Sequence, residues 1–263
     1  MMLTSLNNPR IKELIKLRKA DFRKETQSIL IEGRQELRLA LGSNITIKEL
    51  YFCPQFFGKG NDNLLLEAQG KGVSLCEVNE KAYHKIAYGS RREGLIAVAR
   101  QPELPLAAVK LKAHPLLVVV EHIEKPGNLG AIIRSADAAG ADAVIVADAL
   151  CDIYNPNVVR SSLGAIFSIV VIKAETQGLI LWLKAHRIKA ICACVEAELS
   201  YTSVDFTASS AIILGSEEKG LSGLWKKEAD CRVSIPMTGK VDSLNVSVAA
   251  SVLLFEAVRQ RKA

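Results

Sequence analysis

The sequence predicts an α/β protein in which a parallel sheet with helices on both faces follows a smaller α/β unit. First, continuous apolar runs such as LLVVVEHI (116–123) occur from residue 116 onward and are typical of strands covered on both faces. Second, these runs alternate with helical segments such as NLGAIIRSADAAGA (128–141), which favours a parallel sheet. Third, QPELPLAAVKLKAHP (101–115) has three prolines and no periodicity, as in a connecting segment. The predicted division is a small unit over 1–104, a linker over 105–115 and a larger unit over 116–263.

Composition narrows the class of protein. The chain has 263 residues, is 49% hydrophobic and carries a net charge of +6. No run approaches the roughly 18 apolar residues of a membrane span, and no apolar segment with a cleavage site follows the basic start, so we expect a cytoplasmic protein without membrane contact. The six cysteines form no CxxC pair and no zinc spacing, which favours buried thiols. The basic charge fits a nucleic-acid partner, although a solvated helix face explains it equally well.

The first unit begins with a basic amphipathic segment. Residues 10–25, RIKELIKLRKADFRKE, hold seven basic and three acidic side chains. Ile11, Leu14, Ile15 and Phe22 fall near one helical face, which predicts one helix. The elements predicted after it are strand SILIEG (28–33), helix RQELRLAL (34–41), strand IKELYFC (47–53), helix NLLLEAQGKG (63–72), strand VSLCEV (73–78), a helix near 79–87 and strand GLIAVAR (94–100).

The larger unit alternates strands and helices to its end. Its predicted strands are LLVVVEHI (116–123), DAVIVAD (142–148), FSIVVIKA (167–174), KAICACVEA (189–197), AIILGSE (211–217) and RVSIPM (232–237). Its predicted helices are NLGAIIRSADAAGA, ended by Gly140, a segment near 176–187, LSGLWKKEA (221–229) and a long helix from about 243.

Several common sites are excluded by spacing. The first strand of the larger unit runs into EHIEKPGNLG, which lacks the GxGxxG order of a dinucleotide site. GSEEKGLS (215–222) has two glycines but not the GxxxxGK[ST] order of a P-loop. The sequence has no GxSxG, no HExxH and no carboxylate pair at metal spacing, and its four histidines are scattered.

Three strand-to-helix junctions remain as candidates. They are EKPGNLGAIIR (124–134), LGSEEKGLS (214–222) and IPMTGKVDSLNVSVAAS (235–251). Because all three leave strands at the same edge of a parallel sheet, where α/β proteins bind ligands, we expect them to meet. For each junction alone, ordinary helix capping by Asn128 or Ser243 is an alternative explanation.

These junctions resemble the three motifs of the SpoU (TrmH) group of RNA ribose methyltransferases. The first motif is matched by Asn128, Gly130 and Arg134, and the second by Gly215, Glu217 and Gly220. The third is matched by Ile235, Pro236, Met237, Ser243, Leu244, Asn245, Val246 and Ser247. The segment TSLNNPRIKELIKLRKADFRKE with ILIEG also resembles, more weakly, the ribosomal-protein-like RNA-binding domain that precedes the catalytic domain in rRNA-modifying members.

The resemblance implies a C-terminal trefoil knot, S-adenosylmethionine as methyl donor without a metal, and a homodimer with each site near the subunit interface. It implies that Arg134 activates the ribose 2′-hydroxyl. Because guanidinium stays protonated, an alternative is that Arg134 binds the adjacent phosphate and stabilises alkoxide charge. The other implied catalytic residues are Asn128, Glu217, Ser243 and Asn245. The implied cofactor contacts are Leu214, Gly215, Gly220, Ile235, Met237 and Leu244, and the predicted RNA contacts are Asn157, Arg160, Arg10 and Lys12.

Four functions remain open at the level of sequence. The first is methyl transfer from S-adenosylmethionine to a ribose 2′-hydroxyl of 23S rRNA, and the second is the same reaction on tRNA. The small N-terminal unit favours rRNA, because family members that act on tRNA usually recognise it through short terminal helices. The third is a non-catalytic RNA-binding assembly factor, against which intact Arg134, Glu217 and Asn245 argue. The fourth is a small-molecule nucleotide enzyme, which leaves the basic N-terminal unit unexplained.

Overall fold

A computed structural model describes residues 2–89 and 92–262, which divide into two compact units. One unit contains residues 1–102 together with 154–168, and the other contains 103–153 together with 169–263. The predicted boundaries at 104 and 116 stay predictions. The sequence did not predict that residues 154–168 belong to the first unit. None of the helices over 2–89 and 92–262 is both long enough and apolar enough to cross a membrane.

The first unit is built on a five-stranded mixed sheet of order β1-β4-β3-β5-β2. β5 runs antiparallel to both of its neighbours, whereas β3 and β1 run parallel to β4. Its elements up to residue 100 are β1 (Met2–Leu3), α1 (Pro9–Lys16), α2 (Ala20–Thr26), β2 (Ser28–Glu32), α3 (Arg34–Leu41), β3 (Ile47–Phe52), α4 (Asn61–Gly70), β4 (Ser74–Val78), α5 (Glu80–Ile86) and β5 (Leu95–Arg100).

The prediction of one helix over 10–25 is wrong, because the chain forms two helices there. α1 ends at Lys16 and α2 starts at Ala20, with Lys19 in an extended conformation between them. Arg23 is buried and donates from Nη1 to the carbonyl of Leu17 at 2.7 Å. This bond supplies a partner for a carbonyl that the end of α1 leaves free, so Arg23 stabilises the break between the two helices.

The second unit contains a six-stranded sheet of order β11-β9-β10-β6-β7-β8, and every described pairing in it is parallel, as predicted. The remaining elements of the chain are β6 (Leu116–Glu121), α6 (Pro126–Ala138), β7 (Ala143–Ala147), α7 (Pro156–Ser161), β8 (Val170–Ala174), α8 (Thr176–Ala185), β9 (Lys189–Ala193), β10 (Ser210–Leu214), α9 (Gly223–Glu228), β11 (Cys231–Val233) and α10 (Val246–Lys262). Of these, α7 belongs to the first unit. β6, β7 and β10 are buried along their whole length, which explains their continuous apolar sequences.

Two segments differ from the expected elements in ways that matter for the site. The predicted strand 232–237 is only three residues long, over Cys231–Val233. Ser234 forms a single bridge to Ser200, and residues 235–237 are loop. The last helix starts at Val246, about one turn later than expected. α10 packs on α6, and the hydroxyls of Ser251 and Ser135 lie 2.8 Å apart between them. This packing brings the starts of the two helices together.

Candidate active site

The three predicted junctions meet at the carboxyl edge of the parallel sheet in the second unit. They surround a cavity of about 590 Å³, which is within the usual size range for a site that binds a small molecule. The lining comes from the loop after β6, the loop after β10, the ends of β9 and β11, and the segment that leads into α10. The cavity is therefore formed by segments far apart in sequence, as expected at the ligand-binding edge of such a sheet.

Glu217 is the centre of the polar groups at this cavity. Its Oε1 accepts hydrogen bonds from Nδ2 of Asn128, at 2.5 Å, and from Nδ2 of Asn245, at 2.6 Å. Its Oε2 accepts a hydrogen bond from Nζ of Lys125. The donors come from both of the other junctions, so one carboxylate joins all three loops. We call Lys125, Asn128, Glu217 and Asn245 the Glu217 cluster.

Asn245 also caps the start of α10, and this cap fixes the orientation of its side-chain amide. Its Oδ1 accepts from the backbone N–H of Ser247 at 3.0 Å and from the Ser247 hydroxyl at 2.6 Å. An amide whose oxygen caps a helix must point its nitrogen the other way, which here is toward Glu217. Asn245, and not Ser243, is therefore the capping residue of α10.

Asn128 is not a capping residue. α6 begins at Pro126, so Asn128 lies inside its first turn, and the residue before the helix, Lys125, makes no side-chain capping bond. The Asn128 amide is instead bound to Glu217, with Nδ2 of Asn245 at 3.4 Å from its Oδ1. The alternative explanation of Asn128 as an ordinary cap is thus wrong, and its oxygen keeps capacity to accept another hydrogen bond.

A tight turn after β10 shapes the wall of the cavity. Ser216 and Gly220 exchange two backbone hydrogen bonds, of 3.2 and 3.0 Å, and Gly220 has a φ of +64°. A Cβ on Gly215 would lie 2.1 Å from the carbonyl carbon of Gly220, so no side chain fits there. Both glycines of the second motif are therefore required by the backbone of this turn.

The predicted cofactor contacts all line this cavity. They are Leu214, Gly215, Gly220, Ile235, Met237 and Leu244, and Ser243 lines it as well. Four carboxylates (Glu196, Glu217, Glu218 and Asp242) and three lysines (Lys125, Lys219 and Lys226) add charge to the lining. Apolar walls, exposed backbone and a surplus of carboxylates suit a nucleoside that carries a positive charge, so the residues present fit S-adenosylmethionine.

Arg134 lies apart from the Glu217 cluster. It is exposed on α6, and it makes no hydrogen bond or ion pair with the residues that the structure describes. Six helical positions place it about 120° around α6 from Asn128, whereas Ser135, seven positions on, shares the face of Asn128. Its role as a catalytic residue stays a prediction.

The predicted RNA contacts fall in the first unit. Arg10 binds Oε1 of Glu49 at 2.6 Å and the Tyr51 hydroxyl at 3.2 Å, and Lys12 is exposed. Asn157 and Arg160 lie on α7, which belongs to the first unit. Asn157 is exposed there.

Arg160 is held within the first unit by its surroundings. It is half-buried, its guanidinium lies against Gly89, and it faces the buried Glu32. Burial raises the pKa of the Glu32 carboxyl, while backbone hydrogen bonds and the charge of Arg160 oppose that shift. Binding of RNA by Arg10, Lys12, Asn157 and Arg160 stays a prediction.

Sequence reasoning missed three features of this edge. Lys125 carries no motif signal, and its bond to Glu217 appears only when the loops meet. Ser247 was assigned to the motif without its bonds to Asn245. Glu121, His122 and Asp148 place potential metal-ligand atoms within 4.8 Å of one another, although 26 residues separate the last two. Glu121 and Asp148 already accept hydrogen bonds, Glu121 from Ser222 N at 2.7 Å and Asp148 from Thr176 N at 3.4 Å, which accounts for both carboxylates without an ion.

Together these features define a class of protein. A parallel α/β sheet holds, at its carboxyl edge, a cavity that fits a charged nucleoside, and an amide–carboxylate cluster stands at its side. This combination is that of an enzyme that transfers a group from a nucleoside cofactor.

The family follows from comparison with known proteins. The model of the SpoU rRNA Methylase family matches residues 115–255, and that of the MRM3-like substrate binding domain matches residues 8–97. The chain belongs to the SpoU rRNA methylase family. It is an S-adenosylmethionine-dependent RNA 2′-O-methyltransferase, and it has the trefoil-knotted α/β fold that the resemblance to this family implies.

Three similar proteins illustrate the relationship. A 23S rRNA (uridine(2479)-2′-O)-methyltransferase of Streptomyces viridochromogenes is 38% identical over 64% of this chain, which spans 60% of that protein's length. The 23S rRNA (guanosine(2553)-2′-O)-methyltransferase RlmP of Bacillus subtilis is 28% identical, over 96% of this chain and 97% of its own. The crystal structure of an AdoMet-bound rRNA methyltransferase from Sinorhizobium meliloti aligns with a TM-score of 0.89 at 30% identity, covering 98% of this chain and 97% of the other.

Proposed function

We propose that the cavity around the Glu217 cluster is the catalytic centre and that its substrate is a ribose 2′-hydroxyl of 23S rRNA. The observation that best supports this proposal is that the Glu217 carboxylate binds side chains of the other two motif loops. These loops lie beside a cavity that fits the methyl donor. The rRNA assignment is supported by the curated relatives, which are named as 23S rRNA methyltransferases, and by the match of residues 8–97 to a substrate-binding domain. A cytoplasmic location, where ribosomal RNA is found, is part of the proposal.

Asn128 positions the hydroxyl. When bound, S-adenosylmethionine supplies a methyl group on a sulfonium sulfur, and the attacking oxygen must lie in line with that bond. Because Glu217 binds the Asn128 nitrogen, the Asn128 oxygen is fixed as an acceptor. A 2′-hydroxyl that donates to this oxygen has its lone pairs directed away from Asn128, toward the donor. Glu217 and Asn245 then hold Asn128 and do not touch the reacting atoms.

Arg134 acts on the charge of the substrate. A guanidinium stays protonated in proteins, so we assign it the electrostatic role and not that of a base. Its exposure on α6 leaves it free to meet an RNA phosphate. It can also stabilise the negative charge that the 2′-oxygen gains as its proton passes to solvent water, while the bond from oxygen to the methyl group forms and the bond from sulfur to that group breaks. Ser243 at the cavity wall is a further polar contact for the substrate.

The proposal includes a homodimer. Val248 and Phe255 lie seven positions apart on α10, so they share one face of the helix, and they are 46% and 50% exposed. A second copy of the chain would cover this apolar face. The sedimentation velocity of the full chain checks the dimer: we expect a dimer for the native protein and a monomer for Phe255→Asp, and a native monomer contradicts it.

The test of the function is transfer of labelled methyl to total RNA that lacks the native modification, followed by fractionation and nuclease mapping. We expect label on a 2′-O position of 23S rRNA. The variant that tests the site is Arg134→Ala, which is expected to fold, dimerise and bind cofactor but to lose about 10²- to 10³-fold in rate. A near-normal rate for this variant would contradict the role of Arg134.

The other outcomes of that assay separate the alternatives. Label in tRNA keeps the chemistry and overturns the choice of substrate. No label in any fraction, with RNA binding intact, favours the assembly-factor function, for which no transfer is needed.

A further inference from the structure

Lys125 stands out because it is the cation of the Glu217 cluster and has no counterpart among the three motifs. It precedes α6, its side chain is 69% exposed, and its ammonium binds Oε2 of Glu217, the oxygen that the two amides leave free. Lys125 and Glu217 also both line the cavity. The side chain thus lies at the open side of the cofactor site and pairs with its central carboxylate.

The charges around the cavity determine what this pair does. The lining carries four carboxylates and three ammonium groups, and Lys226 is paired with Glu196 at 2.6 Å. Near Glu217, the described ammonium group in direct contact is that of Lys125. Without it, Glu217 would present a full negative charge to the cavity. With it, the pair is close to neutral.

We infer that Lys125 sets how strongly the cavity distinguishes the methyl donor from the spent cofactor, by neutralising Glu217. This inference rests on the proposed placement of the cofactor in this cavity. The donor and its product, S-adenosylhomocysteine, share the adenosine and amino-acid parts and differ by one methyl group and one positive charge on sulfur. A negative charge near the sulfur therefore stabilises the donor and leaves the product almost unaffected.

This balance has a direct consequence for turnover. An uncompensated Glu217 would favour the charged ground state of the donor, which loses its charge as the methyl leaves. A neutral Lys125–Glu217 pair keeps the affinities for the donor and for the product closer to each other. The bound donor is then not stabilised more strongly than the transition state, in which the charge on sulfur is already decreasing. Lys125 therefore acts through the charge of Glu217, and it need not touch the methyl group.

The experiment measures the dissociation constants of S-adenosylmethionine and S-adenosylhomocysteine by calorimetry on the full-length chain. In Lys125→Gln, the ratio of the product constant to the donor constant should rise about three- to tenfold at low ionic strength, and less in 0.5 M salt. Lys125→Arg keeps the charge and should keep the native ratio. Lys184→Gln is the matched control, because the Lys184–Glu228 pair has nearly the same exposure, 59% and 25%, as Lys125–Glu217, 69% and 24%, but does not line the cavity.

A double variant identifies the carboxylate involved. If Lys125 acts through Glu217, then Glu217→Gln should abolish the effect of Lys125→Gln on the ratio. An unchanged ratio in Lys125→Gln, with both nucleosides still bound, overturns this inference and leaves the proposed site standing. Failure of the native protein to bind either nucleoside overturns the proposed site, and the inference with it.

Discussion

The two ends of α10 are both held by polar side chains, but in opposite ways. At its start, Asn245 and Glu217 lie at the side of an open cavity, and their bonds join loops that surround it. At its end, Arg261 is half-buried and donates to the carbonyls of His114, Phe206 and Ala208 at 2.7–2.8 Å. The first group of bonds orients side chains at the wall of the cavity, whereas the second group provides hydrogen-bond donors for backbone carbonyls.

The comparison teaches how to separate function from stability in one helix. Burial lowers the pKa of Arg261, yet its donors are used on backbone acceptors, which is the pattern of a structural residue. The hydrogen bond with Glu217 raises the pKa of Lys125, whose side chain remains mostly exposed. Substitutions at the start of α10 should therefore change transfer and leave folding nearly intact, and those at its end should do the reverse.

Among the substitutions that test this comparison, Glu217→Gln is expected to have the largest effect. The amide keeps the shape of the side chain but cannot accept from Lys125 and both asparagines with a full charge, so Asn128 loses its fixed orientation. We expect kcat/KM to fall about 10²-fold, while the free energy of unfolding changes by less than about 1 kcal/mol. Steady-state methyl transfer and urea unfolding measure the two quantities.

Its control is Glu228→Gln, which removes a carboxylate of similar exposure from the pair with Lys184, away from the cavity. That variant should transfer methyl at the native rate. Equal losses of activity in both variants would mean that general charge, and not the Glu217 cluster, determines the rate.

The next effect is expected for Arg261→Ala. The substitution leaves at least three carbonyls without their charged donor, so we expect the second unit to lose about 2–4 kcal/mol of stability. Transfer by the folded fraction should stay within about twofold of the native rate at low temperature. Urea unfolding followed by far-ultraviolet circular dichroism, with Lys262→Ala as the exposed neighbouring control, measures the loss. A stability loss no larger than that of the control would break the comparison.

The sequence predicted the features that depend on local patterns, but it did not predict the contacts between distant residues. Buried strands such as β6 and β10 and the motif loops were predicted, because continuous apolar runs and glycines at fixed spacing record local requirements. The break after α1 was not, because it depends on the bond from Arg23 to the Leu17 carbonyl. The bond of Lys125 to Glu217 joins residues 92 positions apart, and no local pattern in the sequence encodes it.

The placement of α7 shows the same limit at a larger scale. The segment NPNVVRSSLGA (155–165) contains α7, with Asn155 as its cap. What the pattern does not contain is the partner of that helix. Arg160 lies against Gly89, whose missing side chain leaves room for the guanidinium, and this fit is visible only in three dimensions.

The smallest effect is expected for Glu256, near the end of α10, and it concerns how the stability of the protein depends on pH. Hydrogen bonds from Arg259, and then from Gln260, lower the pKa of Glu256 to about 2. A carboxylate with a lowered pKa in the folded state adds stability above its unfolded pKa, near 4.5, and this stability is lost as the pH falls toward 2. Because Arg259 is 66% exposed, solvent screening should keep the contribution below about 1 kcal/mol. Glu256→Gln should therefore unfold slightly more easily at pH 7, and the difference from the native protein should shrink as the pH falls from 4.5 through about 2. Urea unfolding from pH 7 down to pH 2 measures it, and a difference at pH 2 as large as that at pH 7 would show that Glu256 acts through packing and not through charge.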